Sequence, residues 1–205
     1  MNPTRLLSCL LVLALGFGLT LSLTSCAPKA FTRGEYDAPE KQNLLNDSWS
    51  ETDMQVVVKA MVESLVNDPA IAKAKLPPLV MVTNLQNKTS EHIDTQNIMD
   101  MVRVELTKSR KVSFVDKEAR QDVAEEYNYQ NSGMVNATTK KGPGGQLGAD
   151  FIVNGRLDSN VQEVGKQKTI YYKLTLNMTN LKTNVIIWTD QKEIRKAYEK
   201  RSVGL

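Results

Sequence analysis

Apolar and polar residues alternate most strictly over residues 170–179. Ile170, Tyr172, Leu174, Leu176 and Met178 fall on one side, and Tyr171, Lys173, Thr175, Asn177 and Thr179 on the other. Such a period of two predicts a strand with one buried and one solvated face. Residues 180–184 predict a turn, where Asn184 tolerates the left-handed conformation. Residues 185–194 predict a returning strand with Ile186 and Trp188 on one face. Upstream, Phe151, Val153 and Leu157 alternate with Asn154, Arg156 and Asp158, and residues 160–168 read as a polar hairpin between Asp158 and Glu163. The carboxyl third is thus expected to be an antiparallel meander.

The middle of the chain changes period. Ser50-Glu51-Thr52-Asp53 has capping-box spacing, and Met54, Val57, Val58, Met61 and Leu65 follow at helical intervals, predicting an amphipathic helix that ends near Asn67, before Pro69. Residues 79–83 predict a short buried strand behind Pro77-Pro78. Asp94 caps a second helix with Ile98, Met101, Val102 and Leu106 on one stripe. Residues 112–115 predict a second strand, and Asp116 caps a third helix carrying Ala119, Val123 and Tyr127 and stopping by Gly133. Strand, helix, strand implies a crossover with the first two strands parallel. Residues 131–145 form a loop of small and polar residues. The expected fold class is α/β: a mixed β-sheet with about two to four helices packed on one face.

Residues 6–21 are apolar and uncharged behind Arg5, too short for a membrane span and followed by no stop-transfer cluster, so they predict an export signal. Its end, Leu23-Thr24-Ser25-Cys26, resembles the lipobox of bacterial lipoproteins, which implies cleavage before Cys26 and diacylation of its thiol. The expected organisation is a signal over residues 1–25, a tether over 26–48 and one domain over 49–205. The tether is polar and aperiodic, with prolines at Pro28 and Pro39. Its 22 residues after Cys26 extend to roughly 75 Å at most and average nearer 25 Å as a coil. Trp49 is expected to pack where the tether meets the domain.

Cys9 leaves with the signal and Cys26 carries lipid, so the mature chain is expected to hold no disulfide and to rely on its core. Removing the signal takes only Arg5 from 26 basic residues, against 23 acidic ones. That near-neutral balance gives no strong field for nucleic acid. Lys192, Arg195, Lys196, Lys200 and Arg201 cluster near the carboxyl end, but Glu193 and Glu199 interrupt them, which predicts a solvated face.

Catalytic patterns are sparse. His92 is the one histidine, and a zinc site needs further His or Cys ligands. No nucleophile elbow accompanies it. Gly142-Pro143-Gly144-Gly145 with Gly148 lacks the Gly-Lys-Ser/Thr ending of a phosphate loop. Glu125 and Glu126 diverge by about 100° on a helix. The expectation is a binding module, with no catalytic residue, cofactor or metal.

Three segments carry a family resemblance: Leu79-Val80-Met81-Val82 followed by Asn87-Lys88-Thr89; Gly148-Ala149-Asp150-Phe151-Ile152-Val153; and Leu181-Lys182-Thr183-Asn184-Val185-Ile186-Ile187-Trp188. In that order, behind a lipobox, they resemble the LpoB family of lipoprotein activators of class A penicillin-binding proteins, over residues 54–196. The family usually has Thr-Gly where this chain has Thr183-Asn184. The resemblance implies a domain similar to the amino-terminal domain of TolB, anchored in the inner leaflet of the outer membrane and facing the periplasm. Ala27, in place of an inner-membrane retention aspartate, agrees with that sorting. It also implies a peptidoglycan synthase as partner, stimulated in glycan polymerisation and peptide cross-linking. The tether is shorter and poorer in proline than is typical of the family. The alternative is an envelope assembly or secretion lipoprotein of the CsgG-like kind, although the exposed side of the last hairpin, with Lys173, Asn177 and Lys192, is ill suited to lipid. Contact with the partner is expected from the loop after the first strand (Asn84, Asn87, Lys88, Thr89) and from the polar strand face at Asn154, Arg156 and Tyr171, because loops carry recognition and Arg and Tyr anchor interfaces.

Overall fold

In the computed structural model, which describes residues 36–42 and 46–200, Ser50 starts the first helix as its spacing predicts. The signal segment, Cys26, Ala27 and Arg201 lie outside the described residues. Helix α1 spans Glu51–Asn67; the Ser50 side chain accepts from the Asp53 amide while the Asp53 carboxylate accepts from the Ser50 amide, the reciprocal capping box. A short helix α2 (Pro69–Ala72) follows, capped by Asp68. Strand β1 is Leu79–Lys88, helix α3 Thr95–Ser109, strand β2 Ser113–Phe114, helix α4 Arg120–Asn131, and strands β3, β4 and β5 are Phe151–Val164, Gln167–Asn180 and Ile186–Glu199.

The sheet order is β2-β1-β3-β4-β5. β1 pairs with β2 and β3 in parallel, and β3-β4-β5 form the antiparallel meander. This is the expected mixed α/β architecture. All five apolar residues of the strict alternation (Ile170, Tyr172, Leu174, Leu176 and Met178) are buried. Leu174, Leu176 and Met178 meet Val57, Val58, Met61 and Leu65 of α1 and Ile98, Met99, Val102 and Leu106 of α3 in one core. Each fully buried aliphatic side chain there contributes about 1.5–3 kcal/mol relative to exposure. The opposite face of the sheet is open.

Three expectations need correction. The first strand does not stop at residue 83. A bulge between Val82 and Leu85 places two residues opposite one, breaks the alternation, and lets β1 continue beside β3 to Lys88, so Asn84, Asn87 and Lys88 are strand residues. The polar hairpin over residues 160–168 stands as expected, since β3 and β4 pair without interruption from Phe151/Asn180 to Val164/Gln167 around a turn at Gly165. Ile186 and Trp188 do not share a buried face: an irregularity opposite Met178 and Thr179 leaves Trp188 buried and Ile186 54% exposed. Lys192 stands opposite Leu174 on the helix-facing side, and Lys196, expected in a solvated cluster, is buried.

Lys196 has a local cause. Its ammonium donates to Asp53 Oδ2 (2.8 Å) and to the Ser48 carbonyl (2.6 Å). Beside it, Tyr198 donates to the Asn46 carbonyl (2.5 Å) and Lys168 pairs with Asp47 (2.5 Å). Trp49 packs edge-on against Tyr172, ring centroids 5.2 Å apart. The segment entering the domain is therefore fastened to the ends of β4 and β5 before α1 begins.

Helix α4 buries no residue. Asp116 accepts from the Glu118 and Ala119 amides, bonds that hold its carboxyl below the usual range, and so caps the turn before the helix rather than the helix itself. Val123 and Tyr127 face a shallow cleft with Leu79, Phe114 and Leu147.

Candidate functional site

Strand register orders the open face into rows. Met81, Ile152, Thr179 and Ile186 form one row at the end where β1 begins; Gln86, Arg156, Thr175 and Gln191 form another; Asn160, Tyr171 and Arg195 lie further along. Period two alone sends these side chains away from the helices. Among them the structure brings three predicted contact residues together. Asn84, Asn154 and Arg156, with Thr175, Asn177 and Lys117, line a shallow depression of about 820 Å³.

The groups in this depression are already ordered by one another. Lys117 Nζ donates to Asn84 Oδ1 (3.2 Å), Thr189 Oγ1 to Asn177 Oδ1 (2.6 Å), and Arg156 Nε to Asp158 Oδ2 (3.0 Å). Amides, hydroxyls and two cations predominate, so the surface is equipped to exchange hydrogen bonds with a polar partner. Gly155 explains why β3 and β4 lie as they do beneath it. A Cβ there would meet the Thr175 carbonyl at 2.1 Å and Leu176 Cδ2 at 2.7 Å.

Tyr171 stands apart, in a second depression of about 540 Å³ with Asn160, Gln162, Thr169, Glu193 and Arg195. Its hydrogen bond with Glu193 raises the phenol above its ordinary value, with desolvation adding to the effect. Asn160, opposite Tyr171, is four residues from Arg156 along β3, a separation of about 13 Å.

The remaining predicted residues behave differently. Asn87 Oδ1 accepts from the Thr89 amide and hydroxyl, Asn87 Nδ2 donates to the Glu91 carbonyl, and Thr89 Oγ1 accepts from the Glu91 amide. These bonds shape the β1–α3 connection and aim Glu91 inward, where it accepts from the Trp49 amide (2.8 Å) and the Tyr172 hydroxyl. Burial first, and then Glu91, drive the Tyr172 phenol far up. Lys88 is exposed opposite Asp158, and His92 is an exposed loop side chain.

Gln86, Thr175, Asn177 and Lys117 join the predicted contact residues in the larger depression. The alternation that turns Thr175 and Asn177 outward is legible in the sequence; the approach of Lys117 from the β2–α4 connection is a tertiary fact. Among the described residues no group of three or more His, Cys, Asp or Glu side chains is placed to hold a metal ion, and no helix is long and apolar enough to cross a membrane.

Solved structures with similar folds include the LpoB C-terminal domain from Salmonella enterica (12% identity, TM-score 0.46, covering 69% of this chain and 98% of that one). The LpoB C-terminal domain from Escherichia coli is similar at 16% identity and TM-score 0.45, with the same coverage. Lipoprotein GNA1162 from Neisseria meningitidis matches at 15% identity and TM-score 0.39, covering 62% of this chain and 88% of that one. Comparison with curated proteins returns no match. The family model described as peptidoglycan-synthase activator LpoB matches residues 53–194, from the capping aspartate of α1 to the middle of β5, and the chain belongs to that family.

Proposed function

We propose that this chain is a lipid-anchored, periplasm-facing protein that binds a bifunctional class A penicillin-binding protein and activates it allosterically, itself changing no bond. The family match over residues 53–194 carries this reading. The lipobox-like Leu23-Thr24-Ser25-Cys26 supports an anchor on Cys26 in the inner leaflet of the outer membrane. The polar open face, with Asn84, Asn154, Arg156 and Tyr171 outward, offers a recognition surface, and Lys88 extends it toward the end of β1; Asn87 and Thr89 act by holding the adjoining loop.

Activation requires that the chain bind one state of the synthase more tightly than another. A differential of about 1–3 kcal/mol yields roughly 5- to 150-fold stimulation. The test is retrieval from the host's membrane extract with the mature chain, followed by labelling with fluorescent penicillin. Recovery of a labelled high-molecular-weight synthase is expected. Recovery of secretion or fibre-assembly components without a labelled synthase would replace this reading with the alternative.

A further inference from the structure

The pole of the sheet opposite the fastened entry segment exposes a group of apolar side chains, Leu76, Leu181, Val185 and Ile186. Asn46 and Asp47 are held at the ends of β4 and β5 by Lys168 and Tyr198. Twelve residues along β4, a run of about 40 Å, lead from Lys168 to Asn180 at the other pole. There Ala74, Leu76, Pro77, Phe151, Leu181 and Lys182 line a concavity of about 590 Å³. Leu76 is 79% exposed and Leu181 45%. The apolar surface continues onto the open face, because Met81, Ile152 and Ile186 form its last row on that side.

Backbone bonds brace this concavity. Asp150 joins the segment before β1 to the start of β3: its Oδ2 accepts from the Leu79 amide (2.9 Å) and its amide donates to the Leu79 carbonyl (2.7 Å). The Asp150 carbonyl accepts from the Leu181 amide (2.9 Å), and Asn180 Oδ1 accepts from the Lys182 and Thr183 amides. A surface held this way is ordered before any partner arrives, which lowers the cost of binding.

The segments that bound the floor carry a small positive excess: Lys73, Lys75 and Lys182 are exposed, against the carboxylates of Asp68 and Asp150, each of which accepts from a backbone amide, of Ala70 and Leu79 respectively. An apolar floor with a small positive excess around it complements an apolar side chain flanked by carboxylates.

We infer that this pole is the energetic anchor of the synthase contact, receiving an exposed apolar side chain on an acidic segment of the synthase. The inference rests on the reading that the chain binds a class A synthase, and it deepens that reading by naming the anchor. The polar groups of the open face then orient the complex, and the apolar floor holds it, since contacts desolvated in a well-packed pocket outweigh contacts that stay in water.

Binding of purified synthase in detergent to the mature chain tests this, with dissociation constants and association rates measured for wild type, Leu76→Ser, Lys73→Glu/Lys75→Glu and Arg156→Ala. Leu76 is too exposed for its replacement to threaten folding, and melting temperatures verify that for every variant. Leu76→Ser is expected to weaken binding about tenfold. The charge reversal should slow association several-fold at low salt, and Arg156→Ala should have the smallest effect. Wild-type binding with Leu76→Ser and the charge reversal both within about twofold of it would overturn the anchor and leave the proposed function standing. Absence of wild-type binding would overturn both.

Discussion

Lys196 is a cation taken out of water, its side chain and that of Asp53 each only 5% exposed. It survives there because its ammonium reaches both the Asp53 carboxylate and the Ser48 carbonyl, so the charge is paired and the donors are used. Asp53 simultaneously caps α1, which couples the helix start to the last strand. Lys196→Met removes one partner and strands a buried carboxylate. Stability should fall by about 3–5 kcal/mol, read as a lower urea midpoint with an unchanged slope. A loss below 1 kcal/mol would mean that Asp53 gains access to water. Nothing in the sequence distinguishes Lys196 from Lys192 or Lys200, since all three sit among mixed charges near the carboxyl end. Its burial follows from where α1 lies, and helix placement is a long-range outcome.

At the scale of elements, local signals were legible where one periodicity persisted. The cap at Ser50, the cap at Asp94 and the five buried positions of β4 are all readable from spacing, because each depends on residues within a few positions of one another. The lengths of β1, β3 and β5 were not. A bulge in β1 and an irregularity in β5 each shift the alternation by one residue, and the polar tip of the β3–β4 hairpin is strand because its neighbour is strand. Gly155 carries a signal of another kind: a glycine inside an alternating strand marks a close backbone approach. Gly155→Ala should cost at least about 2 kcal/mol through overpacking against Thr175 and Leu176. Thermal unfolding checks this, and an unchanged melting temperature would show that β3 and β4 can separate there without loss.

The fastened entry segment has its own pH window. The hydrogen bond to Lys168 holds the Asp47 carboxyl below its ordinary 3.8, and the bond to Asp47 holds the Lys168 ammonium above its ordinary 10.5. The depressed group contributes stability that is full above 3.8 and lost as pH falls through its lower folded value. The raised group contributes stability that is full below 10.5 and lost as pH rises through its higher folded value. Hydrogen exchange at the Ser48 amide should therefore be slow and, after correction for the intrinsic rate, nearly level between those limits. Acceleration on acidification should begin only below 3.8. Loss of protection near neutral pH would mean that the ion pair does not hold this segment.

For the whole molecule, topology separates two tasks. One pole is occupied by the incoming chain, tied through Asn46, Asp47 and Ser48; the other presents an apolar floor with a small positive excess around it, and a polar sheet face lies between. The sequence made the polar face partly legible through the outward positions of β3 and β4. The pole was hidden because Leu76 and Leu181 are far apart in the chain and meet only when β1, β3 and β4 are in register. In the proposed function this surface shifts a synthase toward its active state. The most direct measurement is the rate of glycan-chain polymerisation from lipid-linked precursor by the host's class A synthase, with and without the mature chain at saturation. A rise of roughly 5-fold or more is expected, with no product formed by the chain alone. An unchanged rate at concentrations where the two proteins are bound would contradict it.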